Sequence, residues 1–129
     1  MKKVLRLSSI LVVVAFLFTL VSCAPKDAAA AKSKLEKKDY KVITSEDAIS
    51  GIKALGIDLE GAETALYFRA KESDKHEYLY AILFAKKSQA KDAASKMKEY
   101  EEKNGGSSNV QNIGKWVVYG TEQAIKDFK

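Results

Sequence analysis

Apolar residues along this chain follow three patterns: one unbroken run near the amino terminus, helical spacings of three and four, and strand-like alternation. The unbroken run occupies residues 10–18, and most of the chain after residue 25 interleaves apolar with charged positions. Residues 28–38 have high helix propensity, with Ala28, Ala31 and Leu35 three and four apart. So thin an apolar face predicts a weakly docked helix or a partly helical linker. Tyr40, Val42 and Ile43 form a short β-prone run, after which Thr44-Ser45-Glu46-Asp47 offers a capping hydroxyl with a carboxylate three positions on. A helix is therefore predicted from about residue 46 to 55. Ala48, Ile49, Ile52 and Leu55 share its inner face, and Gly56 stands at the left-handed terminating position.

Residues 63–71 and 77–86 are rich in Leu, Ile, Tyr and Phe, and the segment between them is uniformly polar, which predicts two paired strands. On the first, Leu66, Phe68 and Ala70 alternate with Ala65, Tyr67 and Arg69. On the second, Tyr78, Tyr80, Ile82 and Phe84 alternate with Leu79, Ala81, Leu83 and Ala85, so both of its faces are apolar and it belongs in the middle of a sheet. A helix over residues 88–103 carries Ala90, Ala93, Ala94, Met97 and Tyr100 on one stripe and ends at Asn104-Gly105-Gly106. Residues 110–113 and 115–119 predict a second strand pair around Gly114, and Thr121 caps a last helix with Ala124, Ile125 and Phe128 turned inward. The succession strand, strand, helix, strand, strand, helix predicts an α+β fold. Its form would be a small antiparallel sheet with helices packed on one face, ferredoxin-like or a related plait.

Composition changes this picture at the amino terminus. Of 22 basic residues, Lys2, Lys3 and Arg6 precede the unbroken apolar run with no acidic residue beside them. A basic start, an apolar middle and small residues at Thr19 and Ser22 have the layout of a secretory signal. Without residues 1–22 the balance is 19 basic against 17 acidic residues, a net of +2. So small a charge lacks the concentrated basic footprint of a nucleic-acid-binding domain, and no nucleic-acid partner is expected. Interleaved stretches such as Glu36-Lys37-Lys38-Asp39 are the composition of solvated helix faces.

The single cysteine excludes an internal disulfide, and its position is informative. Leu20-Val21-Ser22-Cys23 resembles the lipobox of bacterial lipoproteins, matching all four positions: branched apolar, tolerant, small, cysteine. The resemblance covers only the first 23 residues and implies processing, not activity. It implies cleavage between Ser22 and Cys23, with a diacylglyceryl group on the Cys23 sulfur. Two acyl chains hold stably where one binds marginally, since each buried methylene contributes roughly 0.8 kcal/mol. The expected partner is thus the membrane, through the lipid on Cys23, at the extracytoplasmic face. The looser apolar window over residues 4–23 approaches the ~20 residues that span a bilayer, so an uncleaved anchor helix is the alternative. Pro25 disfavours a helix running on past the cleavage region, and residues 23–28, if extended, reach about 20 Å. The chain accordingly divides into a lipoprotein signal peptide (1–22), a lipidated tether with its weakly docked helix (23–39) and one α+β domain (40–129).

Chemistry is sparse. A nucleophile-and-base enzyme needs Ser, Cys or Thr beside a base, yet the one histidine is His76 and the one cysteine is the lipid site. No glycine-rich phosphate loop occurs. Glu72, Asp74 and His76 alternate in the polar connection, but such a connection requires polar residues anyway. Metal sites usually bring more ligands, so neither a metal nor a cofactor is expected. Tyr67, Arg69, Tyr78 and Tyr80, with Phe68, Lys71 and Lys75 nearby, are the candidate ligand surface, of a kind that suits a single-stranded nucleic acid or a glycan, although alternation sends half of these aromatics to the core. The expectation is an envelope lipoprotein with a non-catalytic binding or accessory domain that contacts an envelope protein partner or presents a modest ligand surface. The competing class is a small-molecule carrier or an enzyme using scattered carboxylates such as Glu63, Glu72 and Asp74.

Overall fold

The computed structural model describes residues 24–72, 74–106 and 109–129; the expected signal segment, with the expected cleavage and lipid sites Ser22 and Cys23, lies outside the described residues. In chain order the elements are α1 (Ala28–Glu36), β1 (Tyr40–Thr44), α2 (Glu46–Ala54), β2 (Ala62–Ala70), β3 (Tyr78–Phe84), α3 (Lys87–Lys103), β4 (Asn109–Ile113), β5 (Trp116–Gly120) and α4 (Glu122–Phe128). The strands form one antiparallel sheet in the order β1-β2-β3-β5-β4. The α+β class and the antiparallel sheet are as the alternation predicts. A ferredoxin-like plait interleaves two βαβ units, whereas this sheet interleaves one, β3-α3-β4 around β5. The remaining strands, β1, β2 and β3, follow one another as neighbours.

The helices are not on one face, as the succession of elements had suggested, but on both. β3 dictates this: Leu79 and Ala81 point to one side and Ile82 and Phe84 to the other, and all four are fully buried. One core packs Leu66, Phe68, Leu79, Trp116 and Val118 beneath Ala31 and Leu35 of α1 and Ala124, Ile125 and Phe128 of α4. The other packs Ala65, Ile82, Phe84 and Val117 beneath Ile52 of α2 and Ala90, Ala93, Ala94 and Met97 of α3. A strand apolar on both sides needs cover on both, and a single helical layer would leave one set of these side chains in water.

The first helix also departs from its prediction. Ala31 and Leu35 of α1 are both 0 % exposed, so the helix is a full member of the first core rather than a weakly docked one. Its start is fixed by the Asp27 carboxylate, which accepts the Ala30 N–H at 2.8 Å as an N-cap. Two residues earlier in the docked chain, the Trp116 indole N–H donates to the Pro25 carbonyl at 2.9 Å. Residues 25–27 therefore run along the domain instead of forming the extended spacer expected for 23–28.

The last helix is clasped to β1. The Tyr40 hydroxyl donates to the Asp127 carboxylate at 2.7 Å, and the Lys38 ammonium reaches the Asp127 carbonyl at 3.2 Å. Burial pushes the Tyr40 phenol well above its usual range, and the adjoining Asp127 carboxylate adds to the rise. Gly56 ends α2 with φ of 88°, the left-handed conformation predicted for it. Thr121 precedes α4 as expected, but its hydroxyl bonds the Glu77 carboxylate rather than the helix, tying β5 to the β2–β3 connection.

Candidate binding surface

Cross-strand register assembles side chains that are far apart in sequence. Ile43 pairs with Tyr67, Tyr67 with Tyr80, Tyr80 with Tyr119 and Tyr119 with Val110, so one rung crosses all five strands. Directly paired residues point to the same side, here the side carrying α2 and α3. Those helices cover Ala65, Ile82 and Val117 but leave the rung partly open: Tyr67, Tyr80 and Tyr119 are half-buried, and Ile43 is 41 % exposed. The tyrosines stand against one another. Tyr80 stacks on Tyr119 with centroids 4.9 Å apart and planes 11° from parallel, Tyr67 leans on Tyr80 at 4.7 Å, and Tyr78 meets Tyr80 edge-on at 6.4 Å. At the open end of α3, Tyr100 packs against the same core.

Stacking has an electrostatic result. Burial raises the Tyr80 phenol, with Tyr67 and Tyr78 adding to it, and burial raises the Tyr119 phenol, with Tyr80, Tyr78 and Glu101 adding. Both hydroxyls stay protonated at neutral pH, so the row offers neutral hydrogen-bond donors on apolar rings. Rigid tyrosines of this kind supply contact area at low entropic cost.

The next rung outward is cationic. Lys41 lies opposite Arg69, and Arg69 opposite Tyr78. Arg69 and Lys71 line one side of an open cleft of about 450 Å³, with Tyr67 and Tyr78 as its apolar wall and His76 at its rim. All four residues of the predicted ligand surface, Tyr67, Arg69, Tyr78 and Tyr80, thus share one face. Alternation removes only Phe68 from the group, which enters the first core instead. Sequence reasoning missed Tyr119, Ile43 and Lys41, because their membership depends on pairing register.

The carboxylates named for the competing class do not converge. Glu63 stands near the start of β2, whereas Glu72 and Asp74 lie beyond its end, roughly 25 Å away along the strand. Glu72 pairs with Lys75 at 3.4 Å. Among the described residues no three His, Cys, Asp or Glu side chains gather as a metal site, and no helix is long and apolar enough to cross a membrane.

The fold and surface define a three-layer α+β domain bearing a tyrosine row on its half-covered face. Comparison with protein-family models, with curated proteins and with solved structures finds no match for this chain.

Proposed function

We propose that this protein is an envelope lipoprotein, anchored by a lipid on Cys23 at the extracytoplasmic face of the membrane, whose domain binds another envelope component without catalysis. The observation that carries the binding role is the row Tyr67–Tyr80–Tyr119, an ordered aromatic surface that two covering helices stop short of. An aromatic patch kept rigid and partly wet costs a domain burial that it would otherwise gain, which is the usual mark of an interaction site. The wide separation of Glu63 from Glu72 and Asp74 favours binding over carboxylate chemistry. Lipid anchoring rests on the basic, apolar and small-residue succession that ends in Leu20-Val21-Ser22-Cys23.

The test has two readouts on one preparation. Full-length wild type and Cys23→Ala are expressed in a bacterial host with and without an inhibitor of the lipoprotein signal peptidase, and intact masses are measured from membranes. A product beginning at Cys23 with acyl mass, absent from the mutant, is expected; an unmodified product keeping residues 1–22 would make the first segment an anchor helix. Hydroxyl-radical footprinting then compares intact cells with purified protein. Tyr67, Tyr80 and Tyr119 should be protected in cells, and equal labelling in both settings refutes the binding surface.

A further inference from the structure

The geometry points to an anionic saccharide as the bound component, with its phosphate or carboxylate group held by Lys41, Arg69 and Lys71 and its ring lying against Tyr67 and Tyr78; this rests on the binding role proposed above. The argument starts from a local conflict in the sheet. Lys41 and Arg69 are directly paired in register across β1 and β2, so their side chains leave the same face with β carbons about 5 Å apart. Like charges placed opposite one another destabilise a sheet. Lys71, one residue past the end of β2, lines the same cleft as Arg69. All three are exposed, and none has an ion pair among the described residues.

Neighbouring acids offset the conflict only in part. Glu72 is engaged with Lys75, while the Glu77 carboxylate, which accepts from the Thr121 hydroxyl and keeps its charge, lines the same cleft and balances one of the three cations. Asp39 precedes β1 and its carbonyl accepts the Lys71 N–H, which places it at the margin of the group. Arg69 and Lys71 in a cleft of about 450 Å³, with Lys41 on the adjoining strand, thus leave an excess of positive charge beside an aromatic wall, which suits an anion carrying a flat or ring-shaped body. The phenol rings match the apolar face of a sugar, and their hydroxyls and the guanidinium match its oxygens.

Position separates two sources of anion. The chain nearest Cys23 is docked at the opposite end of the sheet, where Pro25 meets Trp116 at the start of β5, and on the opposite face. Register puts Trp116 level with Thr64 of β2, five residues or roughly 17 Å along the strand from Arg69. A lipid on Cys23 thus leaves the cationic corner directed away from the anchoring membrane, toward envelope polymers and solutes rather than the headgroups beneath the domain.

The experiment is a calorimetric titration of the mature lipidated chain in neutral detergent micelles with four probes: glucose 6-phosphate, glucose, glycerol 3-phosphate and inorganic phosphate. Glucose 6-phosphate should bind at least about tenfold more tightly than each of the others, as expected when charge-assisted bonds and ring contacts act together. Arg69→Gln and Lys41→Gln should each weaken it about five- to tenfold. Tyr67→Ala should weaken glucose 6-phosphate but leave phosphate unchanged. In the same variants without ligand, Lys41→Gln and Arg69→Gln should leave the urea midpoint unchanged or raise it, because a like-charge pair has been relieved. Equal binding of glycerol 3-phosphate would reassign the site to headgroup-type phosphate, and no loss on Arg69→Gln, or a lowered midpoint in both charge variants, would overturn the saccharide site. Either failure leaves the tyrosine footprint and the acyl mass untouched, so it is distinguishable from failure of the binding role itself.

Discussion

Replacing Phe128 with alanine probes whether the last helix belongs to the cooperative core or merely rests on it. Phe128 is fully buried, although it lies on a helix of only seven residues, too short to be stable alone. Its ring meets Trp116 edge-on at 5.2 Å and Phe68 edge-on at 6.4 Å. Truncating a buried phenylalanine costs about 3–5 kcal/mol, and loss of two edge contacts of about 0.5–1.5 kcal/mol each places this site in the upper part of that range. With a urea dependence of about 1.5–2 kcal/mol per molar for a domain of this size, the midpoint should fall by about 2–3 M. Total stabilities of about 5–15 kcal/mol leave such a variant marginal. Trp116, the only tryptophan, provides the fluorescence signal, and circular dichroism should give a coincident transition. Leu55→Ala is the control: Leu55 is 51 % exposed, and its truncation should change stability by less than about 0.5 kcal/mol. A Phe128→Ala midpoint within about 0.5 M of wild type would refute the packing argument and make α4 an appendage.

Three further measurements follow from other contacts. Tyr40→Phe removes the hydroxyl that donates to Asp127 and should cost about 1–2 kcal/mol at neutral pH by urea unfolding. Because the Tyr40 phenol is raised in the fold, its contribution is complete below about pH 10 and is lost as pH climbs above that value; wild-type stability should fall there by about 1.4 kcal/mol per pH unit for each such tyrosine, and the variant should fall less steeply. Gly120→Ala places a β carbon against the Tyr78 carbonyl and 2.9 Å from the Leu79 α carbon, on backbone at φ of 156°, and should cost about 2–4 kcal/mol in thermal or urea unfolding; a neutral result would mean that β3 and β5 can separate locally. Asp27→Ala removes the α1 N-cap and should cost about 1 kcal/mol, visible as faster hydrogen exchange in the first turn of α1.

Much of this architecture was legible because strand alternation and helix caps are local signals. β2, β3, α3 and β5 stand within a few residues of where their patterns place them, and Ile125 and Phe128 face inward as their spacing requires. What was not legible depends on partners distant in sequence. The helices distribute over both faces because β3 buries Leu79 and Ile82 on opposite sides, a fact present in the alternation but not followed through to the placement of α1 and α4. Docking of α1 rests on Ala31 and Leu35, with Ala28 beside them, a stripe whose thinness in the sequence hides how completely the first core encloses it. The Trp116–Pro25 bond joins residues 91 apart, and no local pattern announces it. The candidate surface was half visible: Tyr67, Arg69, Tyr78 and Tyr80 share a parity that the strands preserve, while Lys41, Ile43 and Tyr119 join them only through register.

The place of β5 has a consequence for how the chain acquires its shape. Residues 116–120 fill the gap between β3 and β4, and the α4 helix that follows completes the first core. While those residues are missing, β3 has an unpaired edge, β4 has no neighbour, and Leu66, Phe68 and Leu79 lack Trp116 and Phe128 above them. Folding therefore cannot finish progressively from the amino end. It must wait for β5 and α4, whose non-local contacts close the sheet and the first core together.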